Sequence, residues 1–149
     1  MRSPMARKRK KPAAPPEHQP TLSRSTRSSG LVIVSIGGEL DTVGTHAIEP
    51  AFKAALPDRT VRVIIELSGV SFLTSAALAM FVVNAQAMHR AGGKLCLAAA
   101  QKIVADVFVQ AGFTTAFPIY ATLDEAIQEM EKDIPYPPRF LSRFFTPKQ

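Results

Sequence analysis

The stretch of sequence that decides the fold is Val61-Arg-Val-Ile-Ile-Glu-Leu-Ser-Gly-Val-Ser-Phe-Leu-Thr-Ser-Ala-Ala-Leu-Ala-Met-Phe-Val-Val83. Residues 61–67 are almost continuously apolar, which predicts a strand that is buried on both faces and ends in a polar turn at 68–69. From Ser75 onward the apolar positions follow helical spacing. A strand that leads into a helix places the residues between them at the carboxyl edge of the sheet, where α/β proteins usually carry their functional groups. The first candidates for function are therefore Thr74 and Ser75.

Strand and helix patterns alternate along the rest of the chain. The predicted strands are 31–36, 61–67, 94–99 and 117–120, and the predicted helices are 46–56, 75–91, 102–110 and 123–132. Thr45 is the expected N-cap of the first helix, which would place Pro50 near its first turn. Residues 21–27 alternate weakly and predict an additional edge strand. This order predicts an α/β sandwich with a mixed, mostly parallel sheet of four to five strands and about four helices.

The charge of the chain is unevenly distributed. The 149 residues are 46% hydrophobic and carry a net charge of +6, a composition that suits one domain with flanking tails. Residues 1–30 contain eight Lys/Arg and one Glu, whereas residues 31–132 contain seven basic and ten acidic side chains. The body of the domain is thus mildly acidic and lacks the basic surface that is typical of a nucleic-acid-binding fold.

We predict three parts: a basic arm of disordered composition at 1–20, a folded domain at 21–132 and a Pro- and Phe-rich tail at 133–149. The basic cluster at 7–11 is either a solubilising segment or a site for an anionic membrane or nucleic acid. In the tail, four apolar residues would share one face of a short helix: Phe140, Leu141, Phe144 and Phe145. That face either packs on its own domain or docks on a membrane surface or a partner.

Motifs for catalysis, metal binding or cofactor binding are missing from the sequence. It contains no Gly-x-Ser-x-Gly elbow and no glycine-rich phosphate loop, and His18, His46 and His89 lack ligand spacing. No apolar run is long enough to cross a bilayer, and no signal-peptide core follows the basic arm, so we expect a cytoplasmic protein. We expect no catalytic residues, metal, cofactor or small-molecule substrate. A small enzyme with Ser75 as nucleophile is the weakest alternative, because neither a triad nor an oxyanion motif is evident.

Two interpretations of a hydroxyl at the start of the helix remain open. Thr74 or Ser75 could cap the helix by accepting hydrogen bonds from free backbone N–H groups. The same position suits a phosphate, because the phosphate would meet the positive end of the helix. It would add about 1.5–2 negative charges to a neutral surface.

Several short motifs, taken in order and at their spacing, resemble the STAS domain family, as in the bacterial anti-sigma factor antagonists. Residues 38–41 look like the family's Gly-x-Leu-Asp, residues 66–73 like its Asp-Leu-Ser-x-Val-x-Phe stretch, and residues 74–78 like its Asp-Ser-Ser/Ala-Gly-Leu signature. Residues 92–95 and 117–127 match later landmarks of the family. The resemblance covers roughly residues 20–132 and implies a STAS-type sandwich.

The resemblance also implies a function, which is partner switching in the regulation of transcription. Ser75 occupies the serine that a partner kinase phosphorylates, and Thr74 is a second acceptor candidate. The kinase is the anti-sigma factor, which has a histidine-kinase-type ATPase fold. The implied partner-binding residues are Asp41, Phe72, Thr74, Ser75, Ala76, Ala77 and Leu78. Thr74 and Ala77 depart from the family, which has an acid and a glycine at these positions.

A second functional class remains open beside the partner switch. The domain could be a subunit of a larger assembly, such as a lipid-transport ABC complex or a stress-signalling particle. It would then dock constitutively and would need no phosphate.

Overall fold

The computed structural model describes residues 19–112 and 117–132. Within these ranges the strands are β1 (Thr21–Thr26), β2 (Val32–Leu40), β3 (Arg62–Leu73), β4 (Lys94–Ala98) and β5 (Ile119–Tyr120). The helices are α1 (Thr42–Ala55), α2 (Ser75–Ala91), α3 (Lys102–Gln110) and α4 (Leu123–Lys132). The strands form one sheet in chain order, in which β1 is antiparallel to β2 and the other neighbours are parallel. The predicted mixed, mostly parallel sheet and the additional edge strand are confirmed.

The predictions for the two ends of the chain concern residues that lie largely outside these ranges. Most of the basic arm and the whole tail at 133–149, with its four apolar residues, lie outside the described residues. The proposed boundaries at 20 and 132 therefore stay a prediction. No helix in the described ranges is long and apolar enough to cross a membrane.

The two central strands, β2 and β3, are longer than predicted, because both continue through glycines that we expected to end them. Gly37 pairs with Gly69, and a Cβ on Gly69 would lie only 3.2 Å from the Cα of Gly37. The turn that we predicted at 68–69 is wrong, since these residues lie inside β3. Two register shifts let β3 take up extra residues as bulges. The strands thereby reach Leu40 and Leu73, which are paired at the carboxyl edge of the sheet.

The first helix, α1, begins earlier than predicted. Asp41 is its N-cap, and the side-chain Oδ1 accepts a hydrogen bond from the N–H of Gly44 at 2.7 Å. Thr45, the cap that we predicted, is buried, and its hydroxyl donates to the carbonyl oxygen of Leu40 at 3.3 Å. Because the helix starts earlier, Pro50 lies well inside it and on its exposed side, not near the first turn.

The sheet separates two hydrophobic clusters. On one face, three phenylalanines carried by α1, α2 and α3 form a chain of ring contacts, with centroids 5.8 Å and 6.1 Å apart: Phe52, Phe81 and Phe108. On the other face, α4 covers a smaller cluster: Leu31, Ile64, Cys96, Ala98, Ala126 and Met130. Burial raises the pKa of the Cys96 thiol to about 12, which is typical of a buried thiol in an apolar strand. The burial of β3 on both faces is confirmed.

The short helix α3 presents a narrow apolar face to the core. Val104 and Phe108, four residues apart, are buried. Ile103, although apolar, is 61% exposed. Spacing of four thus defines the inward side of α3, and Ile103 lies outside it.

The last helix, α4, is joined to the turn between β1 and β2 by a small polar network. Glu131 accepts from Nε of Arg27 at 2.7 Å and from the hydroxyl of Ser29 at 2.6 Å. These two hydrogen bonds, that of Arg27 first, lower the pKa of the Glu131 carboxyl. The same hydrogen bonds link the end of the domain to the turn before β2, which lies more than a hundred residues earlier in the sequence.

Replacing Glu131 by glutamine should lower the free energy of unfolding at neutral pH by about 1 kcal/mol or less, because both side chains of the pair are partly exposed to solvent. A carboxyl with a lowered folded pKa contributes stability above its unfolded pKa and loses it as the pH falls through the folded pKa. The difference between wild type and variant should therefore vanish well below the ordinary glutamate pKa of 4.5. Urea unfolding of wild type and variant at neutral and at acidic pH measures this difference in the free energy of unfolding.

The matched control is Glu129→Gln, which removes an i,i+3 pair with Lys132 on the same helix. It should cost only a few tenths of a kcal/mol. A Glu131→Gln difference that persisted unchanged in acid would show that the charge is not what stabilises this junction.

Candidate functional site

One carbonyl oxygen, that of Leu40, joins the starts of α1 and α2. It accepts the N–H of Thr74 at 3.1 Å and the hydroxyl of Thr74 at 3.3 Å. It also accepts the hydroxyl of Thr45 from the first turns of α1 at 3.3 Å. Because Leu40 is paired with Leu73, both helices start side by side at one edge of the sheet. Residues that follow β2 and β3 directly therefore share one surface.

The hydroxyl groups of Thr74 and Ser75 differ in their exposure and in their hydrogen bonds. Thr74 is half-buried at the N-cap of α2, but its hydroxyl donates to Leu40, and the cap makes no side-chain hydrogen bond to the helix. Its carbonyl accepts from the N–H groups of Ala77 and Leu78 at 3.0 Å and 3.1 Å. Ser75 is exposed as the first residue of α2, and its hydroxyl makes no hydrogen bond within the described ranges. Neither hydroxyl therefore caps the helix there.

Exposed apolar side chains lie at the same edge as Ser75. Phe72, at the end of β3, is 47% exposed, and Val43, in the first turn of α1, is 77% exposed. Ala76 is half-buried beside Ser75. We call these four residues, Val43, Phe72, Ser75 and Ala76, the docking edge. Large exposed apolar groups around a small polar one are typical of a surface that meets another protein.

Three of the residues predicted to bind a partner are less accessible than the sequence suggested. Asp41 is half-buried and its Oδ1 is engaged by the N–H of Gly44. Ala77 is fully buried and Leu78 is 7% exposed, and both belong to the larger hydrophobic cluster. The methyl group of Ala77, where the family has a glycine, is therefore in the core and not on the docking edge.

The docking edge favours a negative group electrostatically. The first turn of α2 contains no acidic residue, and Thr74 stands where the family has an acid. The positive end of the helix dipole is thus not compensated by a carboxylate of its own helix. A phosphate on Ser75 would meet this end of the helix directly.

A groove of about 430 Å³ runs between α1 and α2, beginning at Ala76 of the docking edge. Its polar lining consists mainly of His46, Glu49, Lys53, Arg59 and Asn84. Arg59 and Asn84 are not among the residues predicted from the sequence, because neither lies in a motif. The sequence does contain one signal for Asn84, because it is a polar residue at a position of α2 where helical spacing requires an apolar one.

Ligand groups for a metal are not assembled in the part of the chain that the structure describes. No group of three or more His, Cys, Asp or Glu side chains converges there. The arrangement defines a small α/β domain that presents an exposed hydroxyl and apolar side chains at the start of a helix.

The family to which this domain belongs is shown by comparison with known proteins. The family model for the STAS domain matches residues 24–126. The chain therefore belongs to the STAS domain family, as its motifs suggested.

The relatives whose names state a role are anti-sigma factor antagonists. The chain is 26% identical over 99 residues to the anti-sigma-F factor antagonist RsfB of Mycobacterium tuberculosis, covering 66% of this chain and 80% of that protein. An anti-sigma factor antagonist from Mycobacterium paratuberculosis has a similar crystal structure, with 28% identity and a TM-score of 0.69. That match covers 79% of this chain and 97% of the other.

More distant structures share the fold. The anti-sigma factor antagonist SpoIIAA in its unphosphorylated form is 19% identical, with a TM-score of 0.62, covering 77% of this chain and all of that one. The phosphorylated form of SpoIIAA from Bacillus is 20% identical, with a TM-score of 0.53, covering 73% of this chain and 98% of that one.

Substituting Gly44 by alanine should destabilise the protein, although alanine is the better helix former. A Cβ at this position would overlap the backbone oxygen of Glu39, so the start of α1 would have to move away from the sheet. We expect a net loss of about 2 kcal/mol, typical of overpacking against backbone. Chemical denaturation measures it.

The control for this substitution is the neighbouring Val43→Ala, which should change the free energy of unfolding by no more than about 0.5 kcal/mol because the side chain is exposed. Equal stability of Gly44→Ala and wild type would contradict the close approach of α1 to the end of β2.

Proposed function

We propose that this chain is a cytoplasmic anti-sigma factor antagonist, a binding regulator and not an enzyme. It binds an anti-sigma factor through the docking edge and thereby frees a sigma factor for transcription. The observation that carries the proposal is the exposed Ser75 at the first residue of α2, flanked by exposed Phe72 and Val43. The names of the relatives, RsfB among them, support the same role.

We propose further that phosphorylation of Ser75 switches this binding off. A phosphoserine carries about 1.5–2 negative charges at neutral pH and would have to be desolvated beneath any partner that covers Phe72. The helix N-terminus stabilises the phosphate in the free protein, so the modified state persists without a change of fold. The existence of SpoIIAA in phosphorylated and unphosphorylated forms supports such a switch within this fold.

Ser75 is a better acceptor than Thr74 in this structure. The Thr74 hydroxyl donates to the carbonyl oxygen of Leu40 and is half-buried, so a kinase would have to break this contact to reach it. Ser75 requires no such rearrangement. We therefore assign the modification to Ser75 and a structural role to Thr74.

The proposed partner is an anti-sigma factor with a histidine-kinase-type ATPase fold, which is also the enzyme that adds the phosphate. The kinase supplies ATP binding and catalysis, and this chain supplies the hydroxyl. The proposal therefore requires no catalytic residue, metal or cofactor in this chain.

A constitutive docking subunit of a larger assembly is the second candidate. The observation in its favour is Thr74, because the missing acid removes a carboxylate that members of the family carry beside the serine. In that case the docking edge would bind its partner without regulation at Ser75.

The test is phosphorylation by candidate anti-sigma factor kinases from the same organism. After incubation with Mg-ATP, intact mass should show the gain of one phosphate in wild type and in Thr74→Val, and no gain in Ser75→Ala. Ser75→Asp should bind the kinase at least about tenfold more weakly than wild type, because it places a charge beneath the partner.

Ser71→Ala is the matched control, since Ser71 is another exposed serine at the end of β3 and its removal should leave the mass gain intact. Stable binding without any mass gain would favour the constitutive subunit. A phosphate that remains in Ser75→Ala would place the modification elsewhere.

A further inference from the structure

A buried amide holds a guanidinium group in the wall of the groove between α1 and α2. Asn84 is 5% exposed, and its Oδ1 accepts a hydrogen bond from Nη1 of Arg59 at 2.7 Å. The other end of the amide, Nδ2, donates to the carbonyl oxygen of Met80 at 2.7 Å. Both ends of the Asn84 amide are thus engaged, and Arg59 is fixed at the groove instead of extending freely into solvent.

The packing of α2 does not require this asparagine. Every other buried residue of the helix is apolar: Ala77, Leu78, Met80, Phe81, Ala85 and Met88. An amide in such a position costs desolvation free energy that a leucine would not. A buried polar side chain at such a position requires an explanation, and the evident effect of Asn84 is to orient Arg59.

Arg59 retains most of its hydrogen-bonding capacity. A guanidinium group has five N–H donors, and among the described residues Arg59 forms one hydrogen bond, to the neutral Asn84, and no ion pair. By contrast, Arg27 and Lys102 each pair with a carboxylate at 2.7 Å and 2.8 Å. Among the described residues, Arg59 is therefore an oriented cation without a counter-charge.

The groove around Arg59 is positive on balance. Lys53 and Arg59 contribute two positive charges to its lining, and Glu49 contributes one negative charge. The Glu49 carboxylate lies 3.9 Å from the Lys53 ammonium group, so it opposes that charge and not Arg59. The group that complements this groove is an anion small enough to enter beside Arg59.

We propose that the groove receives a carboxylate side chain of the anti-sigma factor and that Arg59, oriented by Asn84, is its partner. This inference rests on the proposed function and adds a second contact point to the same interface. The fork of the guanidinium suits a carboxylate, since the two can form parallel hydrogen bonds. Arg59 would thus select a partner that carries an Asp or Glu at the matching position.

The position of the groove fits one continuous interface with the docking edge. Ala76 belongs to both the docking edge and the groove lining. The groove extends along one face of α2 from Ala76 to Ala87, eleven residues or about 17 Å along the helix. A partner that buries about 800 Å² of this domain covers both the docking edge and the groove.

The experiment measures affinity between the full chain and the anti-sigma factor kinase that phosphorylates it in the test above, over a range of salt concentrations. Arg59→Gln should weaken binding about 10- to 100-fold and flatten its salt dependence, because one buried charge pair is lost. Arg90→Gln, at the exposed last turn of the same helix, is the matched control and should stay within about twofold of wild type.

A second variant covers the case in which Arg59→Gln folds poorly, which thermal unfolding would reveal. Glu49→Gln leaves the contact between Arg59 and Asn84 untouched and removes the acid from the groove. It should tighten binding about threefold, since a partner carboxylate no longer faces a like charge. Unchanged or weaker binding of a folded Glu49→Gln would overturn the inference.

The remaining outcomes separate this inference from the proposed function. If Arg59→Gln binds as wild type does, with the same salt dependence, the inference is overturned and the role of Ser75 is untouched. If wild type does not bind the kinase at any salt concentration, the proposed function falls and the inference falls with it. If Arg59→Gln loses only self-association in sedimentation experiments, the groove belongs to a second copy, and the inference is overturned.

Discussion

The site depends on one backbone acceptor, the carbonyl oxygen of Leu40. Two threonine hydroxyls and one backbone N–H converge on it, one hydroxyl from α1 and the other two groups from the start of α2. The two hydroxyl contacts are long and individually weak, at about 1 kcal/mol or less each. Their importance is geometric, because they hold two helix starts against the ends of two paired strands. The exposure of Ser75 is a consequence of this arrangement, since Thr74 takes the inward position.

The arrangement also gives Thr74 a role that an acid at this position could not fill. A hydroxyl can donate to the Leu40 carbonyl, whereas an ionised carboxylate can only accept and would be repelled by it. Position 74 thus carries no negative charge beside Ser75, and the Thr74 hydroxyl instead forms a hydrogen bond that fixes the start of α2. The docking edge is left with apolar groups and an uncompensated helix N-terminus.

The fold was largely predictable, and the errors have local physical causes. Apolar runs and helical spacing identified every strand and helix within the described ranges, because burial dictates those patterns. The prediction of a turn at 68–69 was wrong, because glycines such as Gly37 and Gly69 can pair closely across two strands as well as end a strand. Asp41 rather than Thr45 caps α1, a choice that depends on the path of β2. Arg59 and Asn84 meet only through tertiary packing, so no local pattern could predict their contact.

Burial divides α2 between two sets of residues. Ala77 and its buried neighbours pack in the core, whereas Ser75, Ala79 and Val83 face outward. The outward set contributes little to folding, so its members can be exchanged without loss of the domain. In a cell that contains several regulators with this fold, each regulator can thus present its own set of outward residues to its partner, while all of them keep the same core.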